Sequence, residues 1–251
     1  MLGLIQPDRG RIEICGHLLS AGRQALGLIG ALVEAPSLYA HLSGIQNLDI
    51  TRRLLDLPHR RIAEVLDQVG LGAAGHRRVR EYSLGMRQRL GIALALLGQP
   101  RLLILDEPGN GLDPAGVVDL RRLLRQLADD GLTVFLSSHL LSEVEQVATH
   151  VGVLHAGRLR FQGTLQALRE RVPALLDIQC GAPDDALALL QRSGVNARLT
   201  ATGSIEAGTQ VLAPAAINRL LVGAGIEVHR LAVREVTLES LFFDLTQERA
   251  A

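Results

Sequence analysis

Two adjacent carboxylates follow directly after a run of apolar residues. The segment LLILDEP places Asp106 and Glu107 after four apolar residues, and Pro108 comes next. Such a run predicts a buried strand of a parallel α/β sheet that ends at the acids. Because ligands of these sheets bind beyond the carboxyl ends of the strands, we expect both acids to lie where a substrate binds.

The chemistry that suits this pair is phosphoryl transfer. Side chains alternate along an extended segment, so Asp106 and Glu107 point in different directions and can take different roles. Phosphoryl transfer needs one carboxylate to hold Mg²⁺ and another group to orient the attacking water. Two acids that only face solvent at a strand end would give the same pattern, since acids are mostly exposed.

Three further polar segments surround the predicted sheet edge. The segment YSLGMRQR, residues 82–89, precedes the apolar helical run LGIALALL. The segment GNGLDP, residues 109–114, follows the two acids, and TVFLSSH, residues 133–139, predicts a second buried strand that ends on a histidine. Their order and spacing make a chance coincidence a poor explanation of the pattern.

In these motifs the chain resembles the ATP-binding subunit of an ABC transporter, from its first residue to about Thr164. The resemblance implies an α/β fold, namely a P-loop NTPase-like ABC ATPase domain, with a helical subdomain at about residues 38–97. It also implies ATP as the ligand and Mg²⁺ as the cofactor. The matching segments are Ser83, Gly85, Arg87 and Gln88 for the signature motif and its continuation, LILDEP for Walker B, GNGLDP for the D-loop, and His139 for the switch histidine.

The resemblance assigns roles to the acids and to the histidine. By it, Asp106 holds Mg²⁺, Glu107 is the general base or orients water, and His139 contacts the γ phosphate. Glu34 stands in a loop where the family carries a glutamine that touches the metal or the water. A carboxylate can still bind Mg²⁺, although Glu34 could equally be a solvated loop acid. Exporters of the bacitracin-resistance type often show this same glutamate.

The signature segment departs from the family pattern at two positions. Leu84 replaces the usual first glycine and Met86 replaces the glutamine. Ser83 precedes a predicted helix, where a serine caps free amides and the helix dipole favours an anion; a plain helix cap would look the same. By resemblance, four residues reach the nucleotide at a seam between two subunits: Ser83, Gly85, Arg87 and Asp113.

A phosphate-binding lysine is absent from the sequence. All 26 basic residues are arginine, so the P-loop motif G-x-x-x-x-G-K-[ST] cannot occur in these residues. The opening MLGLIQPDRGR resembles the end of the helix that follows a P-loop and leads into a strand, RIEICG. We therefore expect an ABC subunit that lacks its amino-terminal segment, through a misassigned start or real loss. Such a chain should bind Mg-ATP poorly.

Composition limits the partners that the chain can have. With 26 acidic residues against 26 basic ones, nothing in the charge indicates nucleic acid or an anionic membrane surface. No apolar run approaches the roughly 20 residues of a membrane span, and the start does not resemble a signal peptide. We expect a cytoplasmic protein at the inner face of the cell membrane that contacts the membrane through partners. Cys15 and Cys180 are expected to be buried free thiols.

The sequence pattern predicts a helical region before the signature segment. Leu48 to Val79 has helical periodicity, with arginine pairs at 52–53, 60–61 and 77–78 that we expect on a solvated face.

Pro173 marks a domain boundary, which predicts an ABC ATP-binding domain at 1–172 and an accessory domain at 173–251. The predicted order of the accessory domain is the β-α-β-β-α-β, or ferredoxin-like, pattern: strand Leu175–Cys180, helix Asp184–Ser193, strands Ala197–Thr202 and Thr209–Ala213, helix Ala215–Ala224, strand Glu227–Val233, and a last helix Leu238–Glu248.

Two functions remain open at the level of sequence. The first is the ATP-hydrolysing subunit of a bacterial ABC exporter, which forms a homodimer or heterodimer and works with transmembrane permease subunits. The second is a non-catalytic module whose signature helix completes the ATP site of an intact partner. An ABC protein of DNA repair or translation is disfavoured, because the chain has neither a long coiled-coil insertion nor paired cassettes. The accessory domain supports a dimer or senses a ligand.

Overall fold

The structure, a computed structural model, describes residues 2–3, 5, 7–19, 26–170, 175–234 and 237–246, without the side chains of 243–246. The chain divides into two compact units, Met1–Glu143 and Val144–Ala251. Pro173 lies outside the described residues, and the domain limits 1–172 and 173–251 stay a prediction.

The described part of the first unit combines a short antiparallel hairpin and three parallel strands with four helices, two short 3₁₀ turns and the start of a fifth helix. Its elements, in chain order, are β1 (Glu13–Ile14), β2 (His17–Leu18), β3 (Ile29–Leu32), α1 (Gly44–Leu54), α2 (Arg60–Gln68), the 3₁₀ turns Gly72–Ala74 and Val79–Glu81, α3 (Leu84–Leu96), β4 (Leu102–Asp106), α4 (Pro114–Asp129), β5 (Thr133–Ser137) and the start of α5 (Leu141–Val147).

The sheet that carries the site is parallel and has the strand order β3-β4-β5. Its register places Leu105 opposite Leu32 on one side and opposite Leu136 on the other. The middle of β4 is buried, as its apolar run predicts. Because three carboxyl ends therefore meet at one edge, the segments that follow Leu32, Leu105 and Leu136 emerge side by side.

The predicted burial of the segment TVFLSSH is wrong. Phe135, in the middle of β5, is 50% exposed, and no residue of β5 is fully buried. Among the described residues β5 pairs only with β4, so β5 forms an edge of the sheet and its apolar side chains lack a second neighbour. The strand itself was predicted correctly.

The helical region between residues 44 and 96 consists of separate helices. The helical periodicity of Leu48 to Val79 is interrupted at Leu57 and Pro58, where proline prevents α1 from continuing. Ser43 caps α1 by accepting from the backbone of Gln46, and the Gln46 side chain accepts in return from the backbone N–H of Ser43 at 2.9 Å.

Arg61 corrects the expectation that the arginine pairs are solvated. Its side chain is buried and donates to the carbonyl oxygens of Leu96 and Leu97, at 3.0 and 3.3 Å. These carbonyls belong to the end of α3, where intrahelical donors are lacking and a cation is favourable. Arg60, the other member of the pair, is exposed.

Cys15 also differs from expectation. It is exposed, with a positive φ of 50°, in the turn between β1 and β2, and Cys180 is half-buried. The predicted strand RIEICG shortens to the two residues of β1, because the chain reverses at Cys15 and pairs with β2.

The second unit contains a hairpin, a four-stranded antiparallel sheet and short helices. None of its described helices, and none in the described part of the first unit, is long and apolar enough to cross a membrane. Its elements are β6 (His150–His155), β7 (Arg158–Thr164), α6 (Leu165–Arg169), β8 (Leu175–Cys180), α7 (Pro183–Arg192), β9 (Ala197–Leu199), β10 (Ile205–Gly208), α8 (Pro214–Gly223), β11 (Val228–Arg234) and α9 (Leu238–Thr246).

The four-stranded sheet has the order β11-β8-β10-β9, which is the predicted ferredoxin-like arrangement. Its apolar core includes Leu176 and Ile178 of β8, packed with α7 and α8. The third predicted strand is wrong: the strand is Ile205–Gly208, not Thr209–Ala213. A tight turn brings the N–H of Thr200 to the carbonyl of Ser204 at 2.8 Å, so pairing with β9 begins at once.

Candidate functional site

Two strand ends bring the predicted catalytic residues together. Asp106 is the last residue of β4 and lies opposite Ser137, the last residue of β5. Glu107 follows Asp106 with a positive φ of 47°, so the alternation expected of an extended segment stops at Asp106. This left-handed bend is uncommon for a residue other than glycine and frequently marks a functional site.

The carboxylate of Glu107 contacts the predicted switch histidine. Oε2 of Glu107 lies 2.8 Å from Nδ1 of His139. Because an ionised carboxylate can only accept a hydrogen bond, Nδ1 carries the hydrogen in this contact, and Nε2 of the ring remains available for another group. Glu107 is half-buried and His139 is exposed, so the pair is accessible from solvent. The structure therefore brings Glu107, His139 and the neighbouring Asp106 to one edge.

Glu34 lies in the loop that follows β3, at the same edge of the sheet. It is exposed and has a positive φ of 62°. Among the described residues it makes no hydrogen bond or ion pair with Asp106 or Glu107. The loop is held at its far end, where the buried Asn47 accepts from the N–H of Tyr39 at 2.8 Å and donates to its carbonyl at 3.2 Å.

The signature helix begins as predicted. Ser83 is the N-cap of α3, and its hydroxyl accepts from the backbone N–H of Met86 at 3.2 Å. Asp113 caps α4 in the same way, accepting from the N–H of Gly116 at 2.8 Å. The two helix starts line one cleft of about 420 Å³, which also includes Gly85. The positive ends of two helices therefore face a common space, which also contains the carboxylate of Asp113.

The unusual Leu84 of the signature segment packs on the D-loop. A Cβ atom added to Gly111 would lie 3.2 Å from Cδ2 of Leu84, and Gly111 has a positive φ of 74°. At Gly85 the nearest atom to an added Cβ would be Cδ2 of Leu112, at 3.8 Å. The glycine at 85 therefore leaves room in the cleft, while Leu84 closes one side of it.

Arg87 lies apart from the cleft. Its guanidinium donates to the carbonyl oxygen of Tyr82 at 2.6 Å, and it is not among the cleft residues. Gln88 and Arg89 line the cleft instead. They follow Gly85 by three and four positions, and this helical spacing places all three on one face of α3. The role of Arg87 as a nucleotide contact stays a prediction.

Ser137 is a site residue that the sequence analysis did not identify. Its hydroxyl donates to Oδ1 of Asp106 and accepts from the backbone N–H of Glu107 at 3.1 Å. The available signal was a polar residue at the end of an apolar strand, two positions before His139. That signal indicates a strand end but does not identify the groups that the serine contacts.

The acids fit a magnesium ion of the kind that binds with a nucleotide. The described residues contain no group of three or more histidines, cysteines or acids of the type that forms a metal cage. Mg²⁺ does not need one, because it binds through one or two carboxylates together with water and substrate phosphates. Asp106 is exposed and only its Oδ1 is bonded by Ser137, so Oδ2 is available for such an ion.

Comparison with known proteins identifies the family. The family described as "ABC transporter" matches residues 1–110. The bacitracin transport ATP-binding protein BcrA of Bacillus licheniformis is 39% identical over 250 residues, which cover 98% of this chain and 82% of that protein. The daunorubicin resistance ATP-binding protein DrrA3 of Streptomyces coeruleorubidus is 37% identical over 257 residues, covering 97% and 80%.

Two further comparisons agree with these. The lantibiotic transport ATP-binding protein SrtF of Streptococcus pyogenes is 42% identical over 159 residues, covering 63% of this chain and 69% of that protein. A solved structure of an ATP-binding subunit of an ABC transporter superposes with a TM-score of 0.58 and 30% identity, covering 68% of this chain and 73% of that one. The chain belongs to the family of ABC transporter ATP-binding subunits.

Proposed function

We propose that this chain serves a bacterial exporter by coupling ATP hydrolysis to transport through separate membrane subunits. The observation that carries the proposal is the contact between Glu107 and His139, at 2.8 Å, beside Asp106. Three chemically suitable groups thus converge at the carboxyl ends of two adjacent parallel strands. The names of the relatives, which concern bacitracin, a lantibiotic and daunorubicin, support export as the direction of transport.

In this proposal the residues at the strand ends divide the work of hydrolysis. Asp106 holds Mg²⁺, directly or through water, and Glu34 supplies a second oxygen from the neighbouring loop. Mg²⁺, when bound, neutralises charge that develops on the phosphates. Glu107 orients the attacking water or accepts its proton, and the hydrogen bond to Nδ1 of His139 leaves Nε2 to face the γ phosphate.

The cleft at the starts of α3 and α4 serves a second subunit. Ser83 and Gly85 contact the nucleotide that the partner holds, and Asp113 lies at the seam. For Arg87 to contact it as well, its guanidinium must leave the carbonyl of Tyr82 and turn towards the cleft. The partner is a second copy of this chain or a related ATP-binding subunit. Two such subunits act on transmembrane permease subunits at the inner face of the cell membrane, and the loop that contains Glu34 and Tyr39 contacts a permease. The chain is then a cytoplasmic, peripheral protein.

A second function uses only the cleft at the starts of α3 and α4, which Ser83 and Gly85 line. In this case the chain completes the ATP site of an intact partner through the cleft of Ser83 and Gly85, and it does not hydrolyse ATP by itself.

One experiment separates the two functions. Mg-ATP hydrolysis is measured for this chain alone, for an intact related subunit alone, and for their mixture, with wild-type and Ser83→Ala forms of this chain. Hydrolysis by the chain alone supports the first function. Stimulation of the intact subunit only, lost with Ser83→Ala, supports the second. No hydrolysis alone and no stimulation in the mixture would contradict both.

A further inference from the structure

A single hydroxyl group connects the two acids of the site. Oγ of Ser137 donates to Oδ1 of Asp106 and accepts from the backbone N–H of Glu107, at 3.1 Å. The directions are fixed, because the amide can only donate and the carboxylate can only accept. A serine hydroxyl has one hydrogen and two lone pairs, so it makes both bonds at once.

The bond to Glu107 falls on a residue whose backbone needs support. The φ of 47° at Glu107 is uncommon for a residue other than glycine, and neighbouring groups are needed to hold it. Its N–H is shared between the hydroxyl and the carbonyl oxygen of Ser137, the latter at 3.3 Å. Ser137 therefore holds the main chain of Glu107, while His139 holds its carboxylate.

The hydrogen bond from Ser137 to Asp106 determines which carboxylate oxygen of Asp106 stays free. Oδ1 is bonded by the hydroxyl, and Oδ2 makes no hydrogen bond or ion pair with the described residues. The carboxylate is thereby held in one orientation with a single free oxygen. This is the arrangement expected of a group that orients a ligand of Mg²⁺ from behind.

The adjacent serine has a different partner. Oγ of Ser138 accepts from the N–H of Leu140 at 3.0 Å, within the turn that follows β5. Ser138 makes no described contact with Asp106 or Glu107. The two serines of the segment SSH therefore form a matched pair, of which only the first connects the acids.

We propose that Ser137 is a positioning residue, which fixes Asp106 and Glu107 relative to each other for hydrolysis. The effect of Ser137 on turnover rests on the proposed function, whereas its effect on the main chain of Glu107 rests on geometry alone. A purely structural serine at a strand end would affect stability without a specific effect on the amide of Glu107 or on kcat.

The test compares Ser137→Ala, Ser137→Thr and Ser138→Ala with the wild-type full chain. Amide hydrogen exchange is followed residue by residue by NMR, and Mg-ATP hydrolysis is measured in parallel. We expect Ser137→Ala to accelerate exchange at the Glu107 amide about fivefold or more relative to amides within α4. Threonine keeps the hydroxyl and should restore slow exchange, and Ser138→Ala should leave it unchanged.

For turnover, Ser137→Ala should lower kcat about 10- to 100-fold, with KM within about twofold of wild type. Ser137→Thr should restore most of kcat. If Ser137→Ala does not fold, Ser137→Cys takes its place, since a thiol is of similar size but a weaker donor and acceptor.

The outcomes separate this inference from the proposed function. Equal exchange at Glu107 in Ser137→Ala and wild type would overturn the inference whether or not the chain hydrolyses ATP. Unchanged kcat in Ser137→Ala of an active chain would overturn it as well. Absence of hydrolysis in every form would contradict the proposed function, and the exchange comparison would then decide alone whether Ser137 holds Glu107.

Discussion

Nδ1 of His139 lies 2.8 Å from Oε2 of Glu107, although the two residues are 32 positions apart in the sequence. The contact exists because β4 and β5 are parallel and in register, with Asp106 opposite Ser137 at their ends. The contact also needs the left-handed bend at Glu107. If Glu107 were extended, its side chain would continue the alternation of β4 and point to the opposite side from Asp106. The carboxylate of Glu107 and the imidazole of His139 are thus brought together by the geometry of the sheet.

Replacement of Arg61 tests the connection between α2 and α3. Arg61→Met keeps most of the apolar stem but removes the donors that reach the carbonyls of Leu96 and Leu97. We expect the free energy of unfolding to fall by about 1.5–3 kcal/mol, because hydrogen bonds of a charged donor are lost. The measurement is chemical denaturation.

Arg60→Met is the matched control for this change. The Arg60 side chain is 81% exposed, so its replacement should change stability by less than about 0.5 kcal/mol. Equal effects of the two substitutions would show that the burial of Arg61 contributes nothing to stability.

Replacement of Gly91 tests whether the loop that contains Glu34 packs against α3. A Cβ atom at Gly91 would lie 2.6 Å from Cβ of Pro36, so Gly91→Ala must displace the loop or α3. We expect a loss of about 1–3 kcal/mol in stability, as for other overpacked sites. Thermal denaturation measures it.

Gly98→Ala serves as the comparison. The nearest atom to its added Cβ would be Cδ1 of Leu55, at an ordinary contact distance of 3.9 Å. We expect it to cost much less than Gly91→Ala. A Gly91→Ala protein as stable as the wild type would contradict the packing of this loop against α3.

Tyr82 makes stability depend on pH in the alkaline range. Burial raises the pKa of Tyr82 above its ordinary value of 10.0, against a smaller lowering effect of Arg77. The folded state therefore holds the proton more tightly than the unfolded state. The stability that Tyr82 contributes through this difference in pKa is fully present below about pH 10 and is lost as the pH rises from 10 through the pKa of the folded state.

The substitution Tyr82→Phe removes this alkaline component. It also removes the hydrogen bond from the hydroxyl to the carbonyl of Ala74, at 2.7 Å, and should cost about 1 kcal/mol at neutral pH. Tyr39→Phe is the control, because Tyr39 is exposed. Denaturation at several pH values from 7 to 11 gives the free energy of unfolding of each protein. The values for wild type and Tyr82→Phe should converge as the pH rises. A constant difference between them would contradict this expectation.

Local rules predicted a large part of the fold. The apolar run before Asp106 predicted β4, and the cap Ser83 predicted the start of α3, because each depends on residues within one turn. The order of the second unit also followed from its pattern of apolar and turn residues. These features need no knowledge of distant parts of the chain.

Features that depend on tertiary neighbours could not be predicted in this way. The segment IEAG of β10 was missed because Glu206 interrupts its apolar pattern. In the fold, Glu206 is buried with ion pairs to Arg198 and Arg234, each at 2.6 Å. Similarly, the exposure of Phe135 depends on which strands flank β5.

Within the site, sequence indicated which residues belong together but not how they touch. The apolar run indicated Asp106 and Glu107, the resemblance added His139, and the structure adds their contacts. The two bonds of Ser137 depend on the register of β4 and β5, which no local pattern encodes, and the left-handed bend of Glu107 is a backbone feature that the sequence pattern did not indicate. The roles of these residues in hydrolysis stay predictions.

The most direct measurement is Mg-ATP turnover by a form of this chain that includes a P-loop segment, with the wild-type sequence, Glu107→Gln or Asp129→Asn, alongside nucleotide binding by each. Asp129 is an exposed acid at the end of α4 and serves as the control. The account predicts that Glu107→Gln lowers turnover by about 100-fold or more, with nucleotide affinity within about twofold and Asp129→Asn unchanged. Unchanged hydrolysis in Glu107→Gln would contradict the assignment of Glu107 and His139 as the hydrolytic pair.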